Sequence, residues 1–421
     1  MSKPICLVSC PIDTYSGYGA RARDFVDALI ESRPDWDIRI LKQKWGNTRW
    51  GFLKQNNRED LLKLCTNTIT KKPDVWIQIS IPNEFQPVGN FNIGVTAGIE
   101  SDKPNSTWIE GLNRMDLNLV SSHFSKRTFE KGFKDEQKGI SLTPIKPIEV
   151  LFEGYKSDVY KKVQVTDDDL NLSKVQEDFN FLVTGTWINP KIGKDRKNIG
   201  LSILTFLETF KNRKDAPGLI LKILRSNNSI LELEQITKLI QNIRSSVEAE
   251  QLPNVYLLYG DLTDQEMNYL YNHPKVSCMF SLTKGEGFGR PLLEFTLSSK
   301  PLIVSNWSGH KDFLIKEGCV FIGGSLEDVN EEIVDGNSFI KGAKWFSPNT
   351  SEVTYALNEV FKNYKKYQKR AKAQQSYSYN NFDYSRMQKR LKNIIDKKVP
   401  TYTKVNLPDL TKLKLPKIPN Q

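Results

Sequence analysis

The chain has 421 residues, too many for one ordinary core, and its 38% hydrophobic and 26% charged residues are the balance of a soluble globular protein with more than one domain. No apolar run approaches the roughly eighteen residues of a membrane span, and five cysteines (Cys6, Cys10, Cys65, Cys278, Cys319) without metal-ligand spacing exclude a structural zinc site of the usual kind. The net charge of +11 sits at one end: residues 362–421 hold 16 Lys and Arg against three acids, which leaves 44 basic and 46 acidic of the chain's 60 and 49 for everything before them.

In chain order, the first strand expected is Ile5–Cys10, too short and too abruptly entered for a signal peptide core. Three of the cysteines fall in core-like strands and read as buried thiols in a reducing compartment, so the expected location is cytoplasmic. The segment DTYSGYGARA (13–22) then opens a helix through Ile30. Gly17 and Gly19 let backbone amides face an anion at the helix N-terminus, or they serve a tight turn alone. The same segment fits G-x-G-x-x-A, so an NAD-dependent oxidoreductase has to be weighed. That reading needs an acid at the end of the second strand, where this chain has Lys42-Gln-Lys44. Further strands are expected at Trp36–Leu41, Val75–Ile81, Phe91–Thr96, Leu117–Ser122 and Ile148–Phe152, alternating with helix-like stretches as βαβ units do.

The polar stretch Tyr155–Asp178 reads as a linker, its Asp167-Asp-Asp169 as a solvated loop rather than a metal site. A second series of strands follows at Phe179–Thr184, Leu219–Leu224, Val255–Tyr259, Val276–Leu282, Leu302–Ser305 and Val320–Ile322, with helices such as Ile230–Val247 and Asp264–Asn272 between them. After the first of these strands, Arg196 and Lys197 are expected to begin a helix and to suit a diphosphate, one as a fork and the other as a point charge. Lys222 and the segment NWSGH (306–310) lie at carboxyl ends of strands, where α/β proteins bind ligands.

The most informative stretch is SLTKGEGFGRPLLE (281–294). An apolar strand runs into three glycines that allow close approach to a ligand, and Pro291 marks a helix start. Glu286 lies in the turn and Glu294 one helical turn beyond Pro291, so both can face one crevice. Carboxylates beside a phosphate-binding turn favour neutral hydroxyl donors, which vicinal diols supply, and the pattern points to a sugar joined to a nucleotide.

Glu286 and Glu294, with seven residues between them, resemble the E-x7-E motif of the retaining, GT-B-fold group 1 glycosyltransferases. VLFEG (150–154) with the following Asp158, and Gly98-Ile-Glu100 with Trp108 and MDLNLVSS (115–122), are similar to segments of the same family's N-terminal domain. The resemblance implies an α/β fold of two Rossmann-like doubly wound domains facing a central cleft, with C-terminal helices crossing back to the first domain. The domains expected are 1–155 on the acceptor side, a linker 156–178, a nucleotide-sugar domain 179–375, a returning helix 376–397 and an extended basic tail 398–421. It further implies a hexosyl- or pentosyltransferase with catalytic Glu286, Lys197 and Arg196. Donor contacts would come from Gly17, Gly19, Lys222, Gly287, Phe288, Gly289 and Glu294, and acceptor-side contacts from Tyr18 and Glu100. The expected donor is a nucleotide-diphosphate sugar such as a UDP-sugar, with no permanently bound cofactor and no metal required. The chain departs from the family at Thr186-Trp187, where Arg is common, and at Glu100, where His is common.

The Lys-, Arg- and Tyr-rich end admits nucleic acid, an anionic membrane surface, or no partner at all. The helix expected at Ser351–Ala373 has no bulky apolar face to insert into lipid, which disfavours the membrane. The Lys- and Asn-rich style is similar to that of phage proteins, some of which glycosylate hydroxymethylated bases in DNA. DNA is therefore the acceptor expected, with a glycan or lipid acceptor as the alternative and a non-catalytic nucleic-acid binder as the rival from another class.

Overall fold

A computed structural model describes residues 3–135, 139–225, 228–336 and 338–402. In the first half, strands β1 (Ile5–Cys10), β2 (Asp37–Lys42), β3 (Cys65–Thr66), β4 (Val75–Ile79), β5 (Phe91–Thr96) and β6 (Leu117–Val120) alternate with helices α1 (Gly17–Ser32), α2 (Phe52–Gln55), α3 (Glu59–Leu62) and α4 (Ser106–Arg114). Helix α5 (His123–Glu130), the hairpin β7 (Phe133–Asp135) and β8 (Ile140–Leu142), and strand β9 (Ile148–Val150) complete it. All seven strands of the main sheet are parallel, in the order β3-β2-β1-β4-β5-β6-β9. Its central strands are buried on both faces, and so β4 reads VWIQI with every residue inside.

The second half repeats the plan. Strands β10 (Asn180–Thr186), β11 (Gly218–Leu224), β12 (Val255–Leu257), β13 (Val276–Ser281), β14 (Leu302–Ser305) and β15 (Val320–Ile322) alternate with α6 (Ile199–Phe210), α7 (Ile230–Ser245), α8 (Asp264–Asn272) and α9 (Arg290–Thr296). Their sheet is parallel in the order β12-β11-β10-β13-β14-β15. In each sheet the order reverses at one point, between β1 and β4 and between β10 and β13, and ligands of doubly wound sheets enter at such points. The Gly17 turn leaves β1, the Lys197 turn leaves β10, and the Glu286 turn leaves β13. Topology therefore delivers these three candidate segments to the two switch points.

Three differences from the sequence reading stand out in the second half. The hairpin β16 (Gly324–Asp328) and β17 (Lys344–Pro348) was not foreseen, because β16 is exposed along its whole length and has no apolar alternation. The helix expected over Ser351–Ala373 is two, α10 (Thr350–Lys362) and α11 (Tyr364–Asn381), parted at Asn363. Helix α10 buries Val353, Ala356, Leu357 and Val360 in the second domain's core. Helix α11 turns a polar stripe inward, where buried Gln374 donates to Phe313 O (2.7 Å) and accepts from Ile315 N (2.8 Å). Different partners require different axes, and the break at Asn363 supplies them. Arg196 and Lys197, in turn, precede their helix: Asn198, left-handed at φ 54°, caps α6, which starts at Ile199.

The last described helix, α12 (Tyr384–Lys398), lies against the first domain, with Met387, Leu391, Ile394 and Ile395 among the buried core residues of β1, β2 and α1. Buried Arg21 on α1 donates to the carbonyls of Leu151 (2.5 Å) and Phe152 (2.9 Å), fixing the chain where it leaves the first sheet. Between β9 and β10 the chain is not a free linker: Tyr160, Leu172 and Val175 are buried against the second domain. Of the tail expected over 398–421, residues 403–421 lie outside the described residues. Among the described residues, no helix is long and apolar enough to cross a membrane, and no group of His, Cys, Asp and Glu is arranged to hold a metal ion.

Candidate functional site

The turn after β10 is laid against the end of β13 by hydrogen bonds that do not depend on any ligand. Asn198 donates from its side chain to Leu282 O (2.8 Å), and Lys284 N donates to Arg196 O (2.8 Å). Buried Asp195 holds the turn from inside, accepting from Ile188, Asn189 and Ile199 amides. Lys197 and Arg196 consequently meet Glu286: Lys197 Nζ lies 2.5 Å from Oε1 and Arg196 Nη1 3.5 Å from Oε2. Thr283 Oγ1 donates to the same carboxylate (3.0 Å), and the Glu286 amide donates to Ser308 Oγ (2.9 Å). Burial pushes the Glu286 carboxyl up, but the two cations outweigh it and hold it at about 2. The group is an ionised carboxylate with a fixed orientation.

Glu294 is built differently. It projects from α9 beside Arg290, one turn earlier on the same face, whose Nε donates to Glu294 Oε1 (2.7 Å). Burial raises its carboxyl to about 7, and Arg290 only partly opposes the rise. Arg290 also pairs with buried Asp24 on α1 (2.6 Å), which is paired in turn with Lys156 (3.2 Å). Glu294 therefore borders a charge network that joins the two domains.

Between the sheets lies a cleft of about 800 Å³, lined among others by Gly17, Gly185, Thr186, Lys222, Arg290 and Glu294. Lys222 is buried there with its ammonium donating to Gly260 O, and burial lowers its pKa. A second ion pair between the domains stands at the same cleft, Arg49 to Asp261 (2.7 Å), with Arg49 stacked on Tyr15. The cleft has the volume and the mixed polarity to hold a nucleotide.

The sequence-predicted residues divide into three groups. Gly17, Lys222 and Glu294 line the cleft. Glu286, Lys197, Arg196 and Glu100 form an adjoining cluster, in which Glu100 Oε2 sits 2.8 Å from Arg196 Nε. Gly19 and Phe288 do other work. The Gly19 amide donates to the cap residue Ser16, and a Cβ there would lie 2.3 Å from Thr14 O. Phe288 is buried against Phe313 (4.9 Å between rings), so its side chain serves the core rather than a donor. The glycines of the turn also differ from expectation. A Cβ on Gly287 would meet Ala97 O at 2.1 Å, so this glycine admits the first domain's backbone. Gly289, at φ 95°, is the left-handed cap of α9. Tyr18 braces that backbone, its hydroxyl bonding Thr96 Oγ1 (2.9 Å) and accepting from Ala97 N (3.1 Å), with Trp45 stacked on its ring.

Sequence reasoning missed Asp24, Arg290 and Arg49. The i,i+4 spacing of Arg290 and Glu294 was a legible signal, but Asp24 and Arg290 are 266 positions apart and nothing local links them.

No family model and no curated protein matches this chain. Solved structures do. A glycosyltransferase from Rickettsia africae ESF-5 is 14% identical, with 94% of this chain and 99% of that one covered at a TM-score of 0.63. Alr3699/HepE of Anabaena, determined with UDP and glucose, is 13% identical over 93% and 99% of the two chains at 0.61. Sucrose-phosphate synthase (tll1590) of Thermosynechococcus elongatus is 11% identical over 94% and 99% at 0.63. At these identities the likeness is one of fold, and the fold is GT-B over nearly the whole chain.

Proposed function

We propose that this protein is a retaining glycosyltransferase that moves a hexosyl or pentosyl group from a nucleotide-diphosphate sugar to an acceptor hydroxyl. The observation that carries the proposal is the pair Glu286 and Glu294 at the second sheet's switch point, with Lys197 and Arg196 gathered round the first of them. The fold neighbours add support, since Alr3699/HepE is seen with UDP-glucose as well as with UDP. In this reading the nucleotide lies along the second domain, its ribose hydroxyls donating to Glu294. Glu286 accepts from hydroxyls of the transferred sugar. The bond from the anomeric carbon to the diphosphate oxygen breaks, and a bond to the acceptor oxygen forms on the same face. The acceptor's proton passes to the departing diphosphate. Lys197 and Arg196 neutralise the charge that grows on that diphosphate, a fixed electrostatic contribution to the transition state. The acceptor enters against the first domain near Gly17, Tyr18 and Glu100.

The acceptor we favour is a hydroxymethylated base in DNA. Helices α11 and α12 expose Lys365, Lys366, Lys369 and Lys389, and α11 also exposes Tyr377 and Tyr379, side chains suited to phosphates and stacked bases. The test is release of nucleoside diphosphate from a panel of UDP- and GDP-sugars, with and without hydroxymethylcytosine-containing DNA. Release stimulated by that DNA is the expected result. Release indifferent to DNA would transfer the acceptor to glycans or lipids, and no release from any donor would overturn the activity. Within an active protein, Lys197→Ala is expected to lower turnover about 100-fold with little change in donor KM, as for loss of one transition-state donor.

A further inference from the structure

In the structure the groups assigned to the diphosphate are already occupied. Glu100 comes from the turn after β5, in the opposite domain, and its carboxylate lies 2.8 Å from Arg196 Nε. The same guanidinium faces Glu286 Oε2 at 3.5 Å and donates to Gly285 O at 3.0 Å. Two carboxylates from two domains thus share one arginine fork. The backbones are equally close: a Cβ on Gly285 would sit 2.0 Å from Glu100 O, so the two turns touch with no side chain between them. An arginine fork filled by a carboxylate presents the edge that a phosphate oxygen would use.

We propose that Glu100 is an internal counter-anion for Arg196, standing where the donor's diphosphate will bind and displaced when it does. This rests on the glycosyltransferase reading of the site. The proposal follows from charge and geometry. Without Glu100, Arg196 and Lys197 would share a single carboxylate, Glu286, between two cations. Glu100 supplies the second negative charge, half-buried, at the cost of its own solvation; burial raises its carboxyl although Arg196 opposes the rise. A diphosphate brings more negative charge to the same fork and replaces it. The freed carboxylate remains on a backbone pinned by Tyr18 and by the Ser125 hydroxyl, which accepts from Ile99 N (3.2 Å). It is then on the first domain's wall, where the acceptor enters. Donor binding and delivery of a carboxylate to the acceptor side become one event, so Glu100 is a positioning residue that orders the substrates, donor first.

The experiment is calorimetric titration of UDP and GDP into the full chain and into Glu100→Gln, Arg196→Gln and the double variant, with Arg196→Lys as a second probe should Arg196→Gln fold poorly. Removing the competitor is expected to tighten nucleoside-diphosphate binding about two- to fivefold, the range of a partly exposed ion pair. Arg196→Gln is expected to weaken binding, and the double variant to bind no more tightly than Arg196→Gln alone. Equal or weaker binding by Glu100→Gln, or the same gain with Arg196 already removed, would overturn the counter-anion role while the donor reading stands on binding by the parent. Absence of binding by all the proteins would overturn both.

Discussion

Glu286 and Glu294 belong to one turn and helix, are both buried, and are driven in opposite directions by their surroundings. Glu286 meets two cations and is held at about 2, whereas Glu294 shares one arginine with Asp24 and rises to about 7. The consequences for stability have opposite signs. The depressed Glu286 contributes stability above its unfolded value of 4.5, and that contribution is lost as pH falls towards 2. The raised Glu294 contributes below 4.5, and its contribution is lost as pH climbs through about 7. Glutamine mimics the protonated acid, so Glu294→Gln is expected to stabilise the protein at pH 8 by about 1–3 kcal/mol and to leave it unchanged near pH 4.5. Glu286→Gln is expected to destabilise it at pH 8, because Lys197 is left without a carboxylate. Thermal melts of both variants at the two pH values test this. A parent more stable than Glu294→Gln at pH 8 would contradict the account. The same Glu294→Gln protein is expected to bind nucleotide more weakly, since an amide accepts fewer hydrogen bonds from a ribose diol than a carboxylate.

At the scale of elements, the β1–α1 turn shows how two glycines in one motif come to differ. Gly17 opens α1 at the cleft, and a Cβ there would meet nothing within 4 Å. Gly19, one position past Tyr18, is pressed against Thr14, where a Cβ would stand 2.3 Å from O and 2.6 Å from Oγ1. Gly17→Ala is therefore expected to raise stability by about 0.4–1 kcal/mol by restricting the unfolded chain. Gly19→Ala is expected to lower it by about 1–3 kcal/mol through overpacking. Chemical denaturation of the two variants decides the matter, and equal effects would refute the assignment. Legibility varied in the same way between elements. The strands β1, β5 and β14 have the bounds their apolar runs suggest, because parallel strands buried on both faces are predominantly apolar. The hairpin β16–β17 was illegible, since its support comes from elsewhere: Asp102 N donates to Lys344 O (2.9 Å), and Trp345 is buried beneath the Lys284 ammonium.

For the molecule as a whole, α12 ties the end of the chain to the core of the first domain. Its sequence belongs to the end of the chain, and its apolar face belongs to the core of the beginning. Leu391→Ala removes a fully buried side chain from that core and is expected to cost about 2–5 kcal/mol. Hydrogen exchange would show the loss of protection in β1 and α1, and loss confined to α12 would disprove the coupling. The ion pairs Arg290–Asp24 and Arg49–Asp261 join the domains across the cleft, and they would have to yield or rearrange if donor entry opens it.

The two doubly wound sheets, and the turns that carry Gly17, Lys197 and Glu286, are legible in the order of residues alone. Both are local matters: strand burial is written as apolar runs, and turns as glycine beside a helix start. The sequence suggested one crevice for Glu286 and Glu294; in the structure Glu294 lines the cleft, and Glu286 stands in the adjoining cluster with Lys197 and Arg196. Which charges face one another, by contrast, is set by the folded arrangement. Asp24 meets Arg290 and Glu100 meets Arg196 through contacts between domains, and no spacing along the chain encodes them. The role of a glycine was settled there as well. Gly287 accommodates the backbone of Ala97 rather than only a ligand, since the need for a missing Cβ depends on what folds against it.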